Sequence, residues 1–267
     1  MQLHSDWLVP DWPAPAHVQA VCTTRHGGVS LPPFDSLNLG RPSGDDAQAV
    51  DINRARLAGA LGRDVNYLSQ VHGIRSVQLG SPVPAGSVEA DACTSVVPGV
   101  VCAMRVADCL PVLLTDTAGR AVSAVHAGWR GLANGVLESN FRQFAGLLVG
   151  ATAPVDHDAV SQQTLAWLGP CIGPTAFEVG PEVRAAFVQH DAQAAACFTP
   201  LHGNKWLGDL AGLARLRLRA MGVTRIYGND SDTRWCTFNN PLRFFSHRRD
   251  NLTLGGSGRM AACIWLA

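Results

Sequence analysis

Residues 100–131 have the sequence VVCAMRVADCLPVLLTDTAGRAVSAVHAGWRG, and three apolar runs follow one another closely in it. The runs are Val100–Val106, Val112–Thr115 and Ala121–His126. Their near-continuous apolar character predicts three strands of a sheet that is buried on both faces. The polar residues of this stretch, including Asp108 and Cys109, come where the runs end, so a site at the strand ends is expected.

Strand-like and helix-like segments are interspersed on both sides of this stretch. Further predicted strands are Val18–Thr23, Val65–Val71, Arg75–Leu79, Leu165–Leu168, Arg225–Tyr227, Leu242–Ser246 and Met260–Leu266. Predicted helices are Asp45–Leu61, capped by Ser43 or Asp45, and Gly131–Leu148, Pro181–His190 and Leu207–Met221. The polar segment Pro154–Gln163 is predicted to be a surface loop. No boundary has the composition of a linker, so residues 1–267 are expected to form one α/β domain with a mixed sheet system.

The composition indicates a globular chain with a large core. Lys and Arg number 21 and Asp and Glu also number 21, so the formal net charge is zero. This balance provides no electrostatic attraction for nucleic acid or for an anionic membrane, and neither is expected as a partner. Charged residues are 16% and hydrophobic residues 47% of the chain. Because an average globular chain has about 25% charged residues, disorder is not expected.

The sequence also bears on the cellular compartment. A membrane-spanning helix needs roughly 20 apolar residues, and the longest apolar runs here, such as Met260–Leu266, are far shorter. The N-terminus lacks the basic and apolar regions of a signal peptide. The eight cysteines include no Cys-x-x-Cys pair, and Cys22, Cys102 and Cys263 lie inside apolar runs. We therefore expect a cytoplasmic protein with reduced thiols.

Three segments place an imidazole or a thiol beside a turn at a predicted strand end. They contain His72, Cys109 and His126, separated by 36 and 16 residues, which fits no compact zinc finger. Two imidazoles and one thiolate form a suitable zinc set, and three protein ligands leave a fourth position for water or substrate. The residues alone leave two other interpretations open. These are a core histidine with an inert cysteine, and a Cys/His pair of nucleophile and base.

A set of ordered motifs gives this site a more specific interpretation. The motifs are Thr24-Arg25-His26-Gly27-Gly28-Val29-Ser30, Ser36-Leu37-Asn38-Leu39-Gly40, Gln70-Val71-His72-Gly73, Ala90-Asp91-Ala92, Ala107-Asp108-Cys109-Leu110-Pro111, His126-Ala127-Gly128-Trp129-Arg130-Gly131, Gly169-Pro170-Cys171-Ile172-Gly173 and Ser246-His247-Arg248-Arg249-Asp250. Together they closely resemble the YfiH family over about residues 20–267. That family has been described as purine nucleoside phosphorylase, laccase-like multicopper polyphenol oxidase and peptidoglycan editing factor.

The resemblance implies a fold, a metal site and an activity. The implied fold is a layered α/β sandwich with mixed β-sheets. The implied metal ligands and catalytic residues are His72, Cys109 and His126, with zinc as the usual metal and copper as the alternative. The implied reactions are phosphorolysis of adenosine, inosine and methylthioadenosine, and deamination of adenosine. The expected partners are therefore a purine nucleoside and phosphate.

Phosphorolysis also needs cationic groups that hold phosphate. Arg25 is a candidate because it lies beside the turn Gly27-Gly28, and Arg130 is a candidate because it follows His126 by four residues. Arg248 and its neighbour Arg249 are the other candidates.

Asp91 and Asp108 could orient the ligand imidazoles as hydrogen-bond acceptors. In an extended strand, however, the side chains of Asp108 and Cys109 point to opposite faces. That geometry favours a structural role for Asp108 unless a bulge intervenes.

Two departures from the family pattern concern the substrate side of the site. His247 stands where the family commonly has Tyr, and Ser257-Gly258-Arg259 matches the family's Thr-Gly-Arg. Three other functions are alternatives. A copper-dependent polyphenol oxidase is disfavoured because the nine histidines form no His-x-His pair. An amide hydrolase that edits peptidoglycan precursors would use Cys109 or a zinc-bound water. A structural zinc is disfavoured because such a site is closed by four protein ligands, and the sequence offers only three candidates.

Overall fold

A computed structural model describes residues 2–149 and 156–267 of the chain. The strands, in chain order, are β1 (Val18–Cys22), β2 (Val65–Tyr67), β3 (Ser76–Gln78), β4 (Ala92–Ser95), β5 (Val101–Val106), β6 (Leu110–Asp116), β7 (Val122–Ala127), β8 (Thr164–Leu168), β9 (Glu178–Val179), β10 (Phe198–Leu201), β11 (Lys205–Gly208), β12 (Arg225–Gly228) and β13 (Met260–Leu266). The helices are α1 (Ala47–Leu61), α2 (Trp129–Asn134), α3 (Val136–Val149), α4 (His157–Gln163), α5 (Pro181–Val188), α6 (Leu210–Ala220) and α7 (His247–Leu254).

The strands form three sheets. A four-stranded sheet has the order β1-β13-β5-β2, and a six-stranded sheet has the order β12-β8-β6-β7-β4-β3. A small antiparallel sheet has the order β10-β11-β9. In both larger sheets, parallel pairs at the edges join an antiparallel centre, as β2 with β5 and β3 with β4 show. The predicted mixed α/β architecture is therefore confirmed.

The two larger sheets pack face to face, and helices cover their outer faces. Met104 and Ile264 of the four-stranded sheet pack in one core cluster with Leu113 of the six-stranded sheet. On the other face of β6, Val112 packs among side chains of the helices, including Phe144 of α3. Successive side chains of a strand point to opposite faces, so β6 must be apolar at almost every position. This burial on both faces explains the apolar runs in residues 100–131.

The outer face of the four-stranded sheet is covered by α1. Leu57 and Leu61 of α1 are buried in a cluster with Val101 of β5 and Trp265 of β13. Viewed through the two larger sheets, the order of layers is therefore α1, four-stranded sheet, six-stranded sheet and the remaining core helices. No helix among residues 2–149 and 156–267 combines the length and the apolar composition that a membrane crossing needs.

Two predicted helices have different boundaries in the structure. The predicted helix Gly131–Leu148 is divided into α2 and α3, because Gly135 adopts a left-handed φ of 97° and ends α2. Helix α1 is capped by Asp46, whose side chain accepts a hydrogen bond from the Gln48 backbone, and not by Ser43 or Asp45. The Asp45 carboxylate instead accepts from the Ser30 hydroxyl.

Two other predictions were wrong in the type of element, and a third predicted helix begins later than expected. Leu242–Ser246 is not a strand; its Phe244 and Phe245 are buried in a turn that leads into α7, which begins after the Ser246 cap. Leu207 belongs to β11, and the following helix α6 begins only after Asp209 caps it. Of the predicted loop Pro154–Gln163, residues 154–155 lie outside the described residues, and His157–Gln163 forms α4.

Candidate metal centre

Two neighbouring strands and one connection bring His72, Cys109 and His126 together. His72 lies in the connection between β2 and β3 and has a left-handed φ of 61°. Cys109 immediately precedes β6, and His126 lies in β7 opposite Pro111. Because β6 and β7 are antiparallel neighbours, the start of β6 lies beside the end of β7, which carries His126. The pairing of β6 with β7 thus brings Cys109 and His126 close together although 16 residues separate them in the sequence.

The geometry of this cluster suits a metal ion. One ligand atom from each of the three side chains lies within 4.8 Å of the other two. The distance from Cys109 Sγ to His72 Nε2 is 3.7 Å. Metal–ligand bonds of about 2.0–2.3 Å at tetrahedral angles separate ligand atoms by roughly 3.3–3.8 Å. Two imidazoles and a thiolate suit zinc and also copper, so the donor set fits either metal.

Asp91 holds two of the three ligands in place. Its fully buried carboxylate accepts a hydrogen bond of 2.7 Å from His126 Nδ1, which leaves Nε2 of that ring for the cluster. The same carboxylate accepts from the backbone N–H groups of Val71, His72 and Gly73. These bonds fix the connection that carries His72, including its left-handed residue. Asp91 therefore sets the position of one imidazole and the tautomer of the other.

Asp108, the other predicted acceptor, has different partners. Its Oδ1 accepts from the Thr237 hydroxyl and its Oδ2 from the backbone N–H of Arg248, both at 2.6 Å. Neither partner is an imidazole, so the expected orienting role is corrected. Asp108 has a left-handed φ of 85°, and it ties the start of α7 to the chain segment that carries Cys109. This is the structural role that its neighbouring position favoured.

Gly128 provides the space in which the ligands meet. A Cβ atom at this position would lie 2.7 Å from His72 Cδ2 and 3.0 Å from Cys109 Sγ. The next glycine, Gly131, is also close to the connection of His72, since its Cβ would lie 2.8 Å from the Gly73 carbonyl oxygen. Both glycines stand in the His-Ala-Gly-Trp-Arg-Gly motif of the sequence. Their spacing after His126 is the signal of this close approach.

The protonation of Cys109 and His126 is strongly coupled. Burial alone would raise the pKa of the Cys109 thiol, but the His126 imidazolium and hydrogen bonds from both imidazoles lower that pKa to about 6. Burial alone would lower the pKa of His126, but the Cys109 thiolate and the Asp91 carboxylate raise it to about 9. Between these values the metal-free pair is a thiolate beside an imidazolium, so a metal ligand is already deprotonated at neutral pH.

The cluster lines an open cavity of about 310 Å³, a size suited to a small ligand. The lining residues are Gly40, Ser43, Gln70, His72, Arg105, Val106, Ala107, Cys109, His126, His247 and Arg259. The arginines predicted to hold phosphate are absent from this lining. Two other arginines, Arg105 and Arg259, are present in it.

The predicted phosphate-binding arginines have structural partners instead. Arg25 donates to the Asp35 backbone and side chain and to the Pro241 carbonyl. Arg130 is exposed, and its guanidinium lies over the Trp129 ring, 4.4 Å from the centroid.

The arginines of α7 are also engaged elsewhere. Arg248 donates to the Glu178 carbonyl, and Arg249 pairs with Asp250 at 2.7 Å. Arg25, Arg130 and Arg248 therefore lie outside the lining of the metal cavity, and their role in holding phosphate stays a prediction.

Gln70 links the connection that carries His72 to Arg105. Its side-chain amide donates to the Arg105 carbonyl oxygen at 2.8 Å and accepts from the Arg105 backbone N–H at 2.9 Å. Two residues later the chain reaches His72. Gln70 belongs to the Gln-Val-His-Gly motif. An amide side chain beside a candidate metal ligand is the sequence feature that could have indicated a hydrogen bond to a neighbouring segment. Arg105 gave no signal of its own because it stands inside an apolar strand.

We expect iodoacetamide to alkylate Cys109 in the metal-free protein with a midpoint near pH 6. The thiolate is the reactive form, and its fraction rises as the pH increases through the lowered pKa. Mass spectrometry of peptides alkylated from about pH 4 to about pH 9 measures the midpoint for each cysteine. Cys197 is the control, because it is also half-buried but burial raises its pKa to about 11. A Cys109 midpoint near that of an ordinary thiol would contradict the ion pair.

Known proteins resemble this chain over nearly its whole length. A family model described as multi-copper polyphenol oxidoreductase laccase matches residues 19–267. A Pseudomonas aeruginosa protein named purine nucleoside phosphorylase is 47% identical over 262 residues, which cover 97% of this chain and 98% of the relative. The purine nucleoside phosphorylase YfiH of Escherichia coli K12 is 49% identical over 264 residues, covering 98% and 99%.

Solved structures show the same fold. The crystal structure of YlmD from Geobacillus stearothermophilus has a TM-score of 0.85 at 30% identity and covers 100% of this chain and 98% of its own. A Neisseria meningitidis protein has the same TM-score at 42% identity, with 98% and 99% covered. The fold described above is therefore the fold of these two solved structures.

Proposed function

Because the chain belongs to the YfiH family, we propose that it is a metal-dependent purine nucleoside phosphorylase acting on adenosine, inosine and methylthioadenosine. The observation that carries this proposal is the position of His72, Cys109 and His126 in the wall of an open cavity. A metal held by these three protein ligands would keep a fourth position for water or substrate, as metals in catalytic sites do. The names of the relatives from Pseudomonas aeruginosa and Escherichia coli support a phosphorylase.

We propose zinc as the bound metal and the cytoplasm as the location of the enzyme. Two neutral imidazoles and one thiolate leave a divalent ion with a net charge of about +1. When bound, such an ion supplies Lewis acidity and lowers the pKa of a coordinated water. His72, Cys109 and His126 would hold it, and Asp91 would keep the His126 ring oriented. Copper is the alternative that the family description suggests.

Phosphorolysis asks for two contributions from the cavity. An oxygen of dihydrogen phosphate forms a bond to C1′ of the ribose while the C1′–N9 bond breaks. The electron pair of the C1′–N9 bond stays on the purine. The purine takes up one proton, so the products are the free base and ribose 1-phosphate. The chain must hold phosphate beneath C1′ and stabilise the departing base. His247 lines the cavity and is a polar side chain within reach of a bound nucleoside.

Deamination is the second activity that we propose for this cavity. Water adds at C6 of adenosine, and ammonia leaves, which gives inosine. This reaction consumes water and not phosphate. The two reactions can therefore be separated by the phosphate requirement of each product.

We expect phosphate to stimulate adenine release from adenosine and to leave unchanged the total of the deamination products, which are inosine and the hypoxanthine formed from it. The experiment incubates purified protein of known zinc content with adenosine, with and without phosphate, and separates the products by chromatography. Protein stripped by a chelator is the control, and readdition of zinc should restore both products. Equal phosphate dependence of adenine and inosine would contradict two separate reactions. No conversion by the zinc-loaded protein would overturn the proposed function.

One arrangement favours a second candidate function, a cysteine-dependent amide hydrolase that acts on peptidoglycan precursors. Asp91, His126 and Cys109 form a series in which the carboxylate orients the imidazole and the imidazole lowers the pKa of the thiol. This is the order of groups in a cysteine nucleophile with its base. Hydrolysis of a muropeptide by the chelated protein would favour this function over the phosphorylase.

A further inference from the structure

We infer that Arg105 and Arg259 form the phosphate subsite of the metal cavity. This inference rests on the proposed function, since it assigns the anion that a phosphorylase must hold. Both arginines line the cavity together with His72, Cys109 and His126. In the part of the chain that the structure describes, neither forms an ion pair with a carboxylate. Two guanidinium groups in one cavity without acidic partners are suited to a doubly charged oxyanion.

Arg105 presents donors that the protein does not use. Its Nη2 donates to the Leu68 carbonyl oxygen at 2.7 Å, but its Nε is buried and has no hydrogen-bond partner. The Nη1 of Arg105 forms no hydrogen bond with the described residues and is left as a donor for an oxyanion in the cavity. The guanidinium also lies 6.0 Å from the ring centroid of Tyr67, which limits its movement. Burial lowers the pKa of Arg105 to about 10, so it remains charged at neutral pH.

Arg259 is held in a fixed position beside the cavity. Its Nη1 donates to the carbonyl oxygens of Ser257 and Gly258, each at 2.9 Å. Its Nη2 lies 3.4 Å from His247 Nδ1, a residue that also lines the cavity. The neighbouring loop is shaped around this side chain, because a Cβ on Gly40 would lie 2.6 Å from Arg259 Cγ. Such fixed donors lose little conformational entropy when they bind an anion.

The acidic groups near Arg259 do not neutralise it. Burial is the largest influence and lowers the pKa of Arg259, while the Cys109 thiolate attracts its charge first, followed by Asp108 and Asp250. The Asp108 oxygens are engaged by Thr237 and the Arg248 backbone. Asp250 pairs with Arg249. The charge of Arg259 therefore remains available to a ligand in the cavity.

The backbone of Arg105 is tied to the metal ligands through Gln70. The side-chain amide of Gln70, which lies two residues before His72, donates from its nitrogen to the Arg105 carbonyl oxygen and accepts at its oxygen from the Arg105 backbone N–H. A phosphate held by Arg105 would thus have a fixed position relative to the metal. In phosphorolysis the nucleophile and the group that stabilises the leaving base must be held together, and this link provides that constraint.

The test compares Arg259→Met, Arg259→Lys and Arg105→Lys with the parent protein. In steady-state phosphorolysis of adenosine, Arg259→Met is expected to raise the KM for phosphate about tenfold or more. The KM for adenosine should change less than about twofold, because the base and ribose contacts remain. The two lysine variants keep the charge and lose the fork of donors, so a smaller rise is expected. The bound zinc of every variant should equal that of the parent.

A second readout does not depend on turnover. Inorganic phosphate should raise the Tm of the zinc-loaded parent protein at constant ionic strength, and Arg259→Met should lose this rise. Arg142→Met is the matched control, because Arg142 is an exposed residue of α3 outside the cavity and carries the same charge. A rise in Tm that the variants lose, without any adenine formed by the parent, would support the subsite and overturn the phosphorylase. Phosphorolysis with an unchanged KM for phosphate in all variants would overturn the subsite and support the phosphorylase.

Discussion

Replacing Cys109 with alanine is expected to abolish turnover and metal retention while the protein stays folded. The thiolate is the one anionic ligand of the cluster, and its loss leaves two imidazoles within the 4.8 Å group. Stabilisation of several kcal/mol by the metal is then lost, so kcat should fall by about a thousandfold or more. The core does not depend on this thiol, because Cys109 is only half-buried at the edge of a small cluster. Zinc analysis after dialysis, product chromatography and circular dichroism measure the three quantities.

Cys197→Ala is the matched control for this variant. Cys197 is also a half-buried free cysteine, but it lies in the 3-10 helix Ala192–Cys197, away from the metal cavity. It should keep its zinc and its activity. If Cys109→Ala instead unfolds at room temperature while Cys197→Ala does not, the site is structural. If Cys109→Ala keeps its zinc and loses only activity, Cys109 is not needed as a metal ligand and acts in the reaction itself.

The strands could be predicted from the sequence because their environment left a simple pattern. Residues 110–116 are buried between helices on one side and a second sheet on the other, so nearly every position is apolar. The segment Leu242–Ser246 shows why the same rule fails elsewhere. Its Phe244 and Phe245 are also fully buried, but they fill a small cluster with Met260 in a turn. An apolar run indicates that a segment is buried. It does not indicate which backbone hydrogen bonds the segment forms, and those bonds decide whether it is a strand.

The metal ligands could be predicted from the sequence, whereas the cavity arginines could not. His72, Cys109 and His126 each stood beside a turn residue, and their side chains form the cluster. The phosphate prediction chose arginines by their neighbours in sequence, yet Arg25 and Arg248 are used to tie loops together. Arg105 faces the cavity because β5 alternates between faces. Which face that is depends on a sheet pairing that one strand alone does not specify.

We expect Asp91→Asn to weaken zinc binding about 10- to 100-fold and to destabilise the metal-free protein by about 2–4 kcal/mol. The amide cannot accept every hydrogen bond that the carboxylate accepts from His126 and from the connection that carries His72. Burial would raise the pKa of Asp91, but its hydrogen bonds and the nearby His126 lower that pKa below its ordinary value. The carboxylate therefore contributes stability above about pH 4, and this contribution is lost as the pH falls below that value. Urea unfolding and zinc competition with a chelator measure the two effects.

Asp116→Asn separates the role of Asp91 at the metal from the general cost of changing a buried carboxylate. Asp116 is also fully buried and lies at the opposite end of β6 from Cys109. It accepts from the backbone and side chain of Arg120, so its amide variant should lose comparable stability. Its zinc affinity should match that of the parent. Equal losses of zinc affinity in both variants would mean that Asp91 acts only through folding. A loss confined to Asp91→Asn means that this carboxylate positions the ligands, because the two changes differ only in what each carboxylate holds.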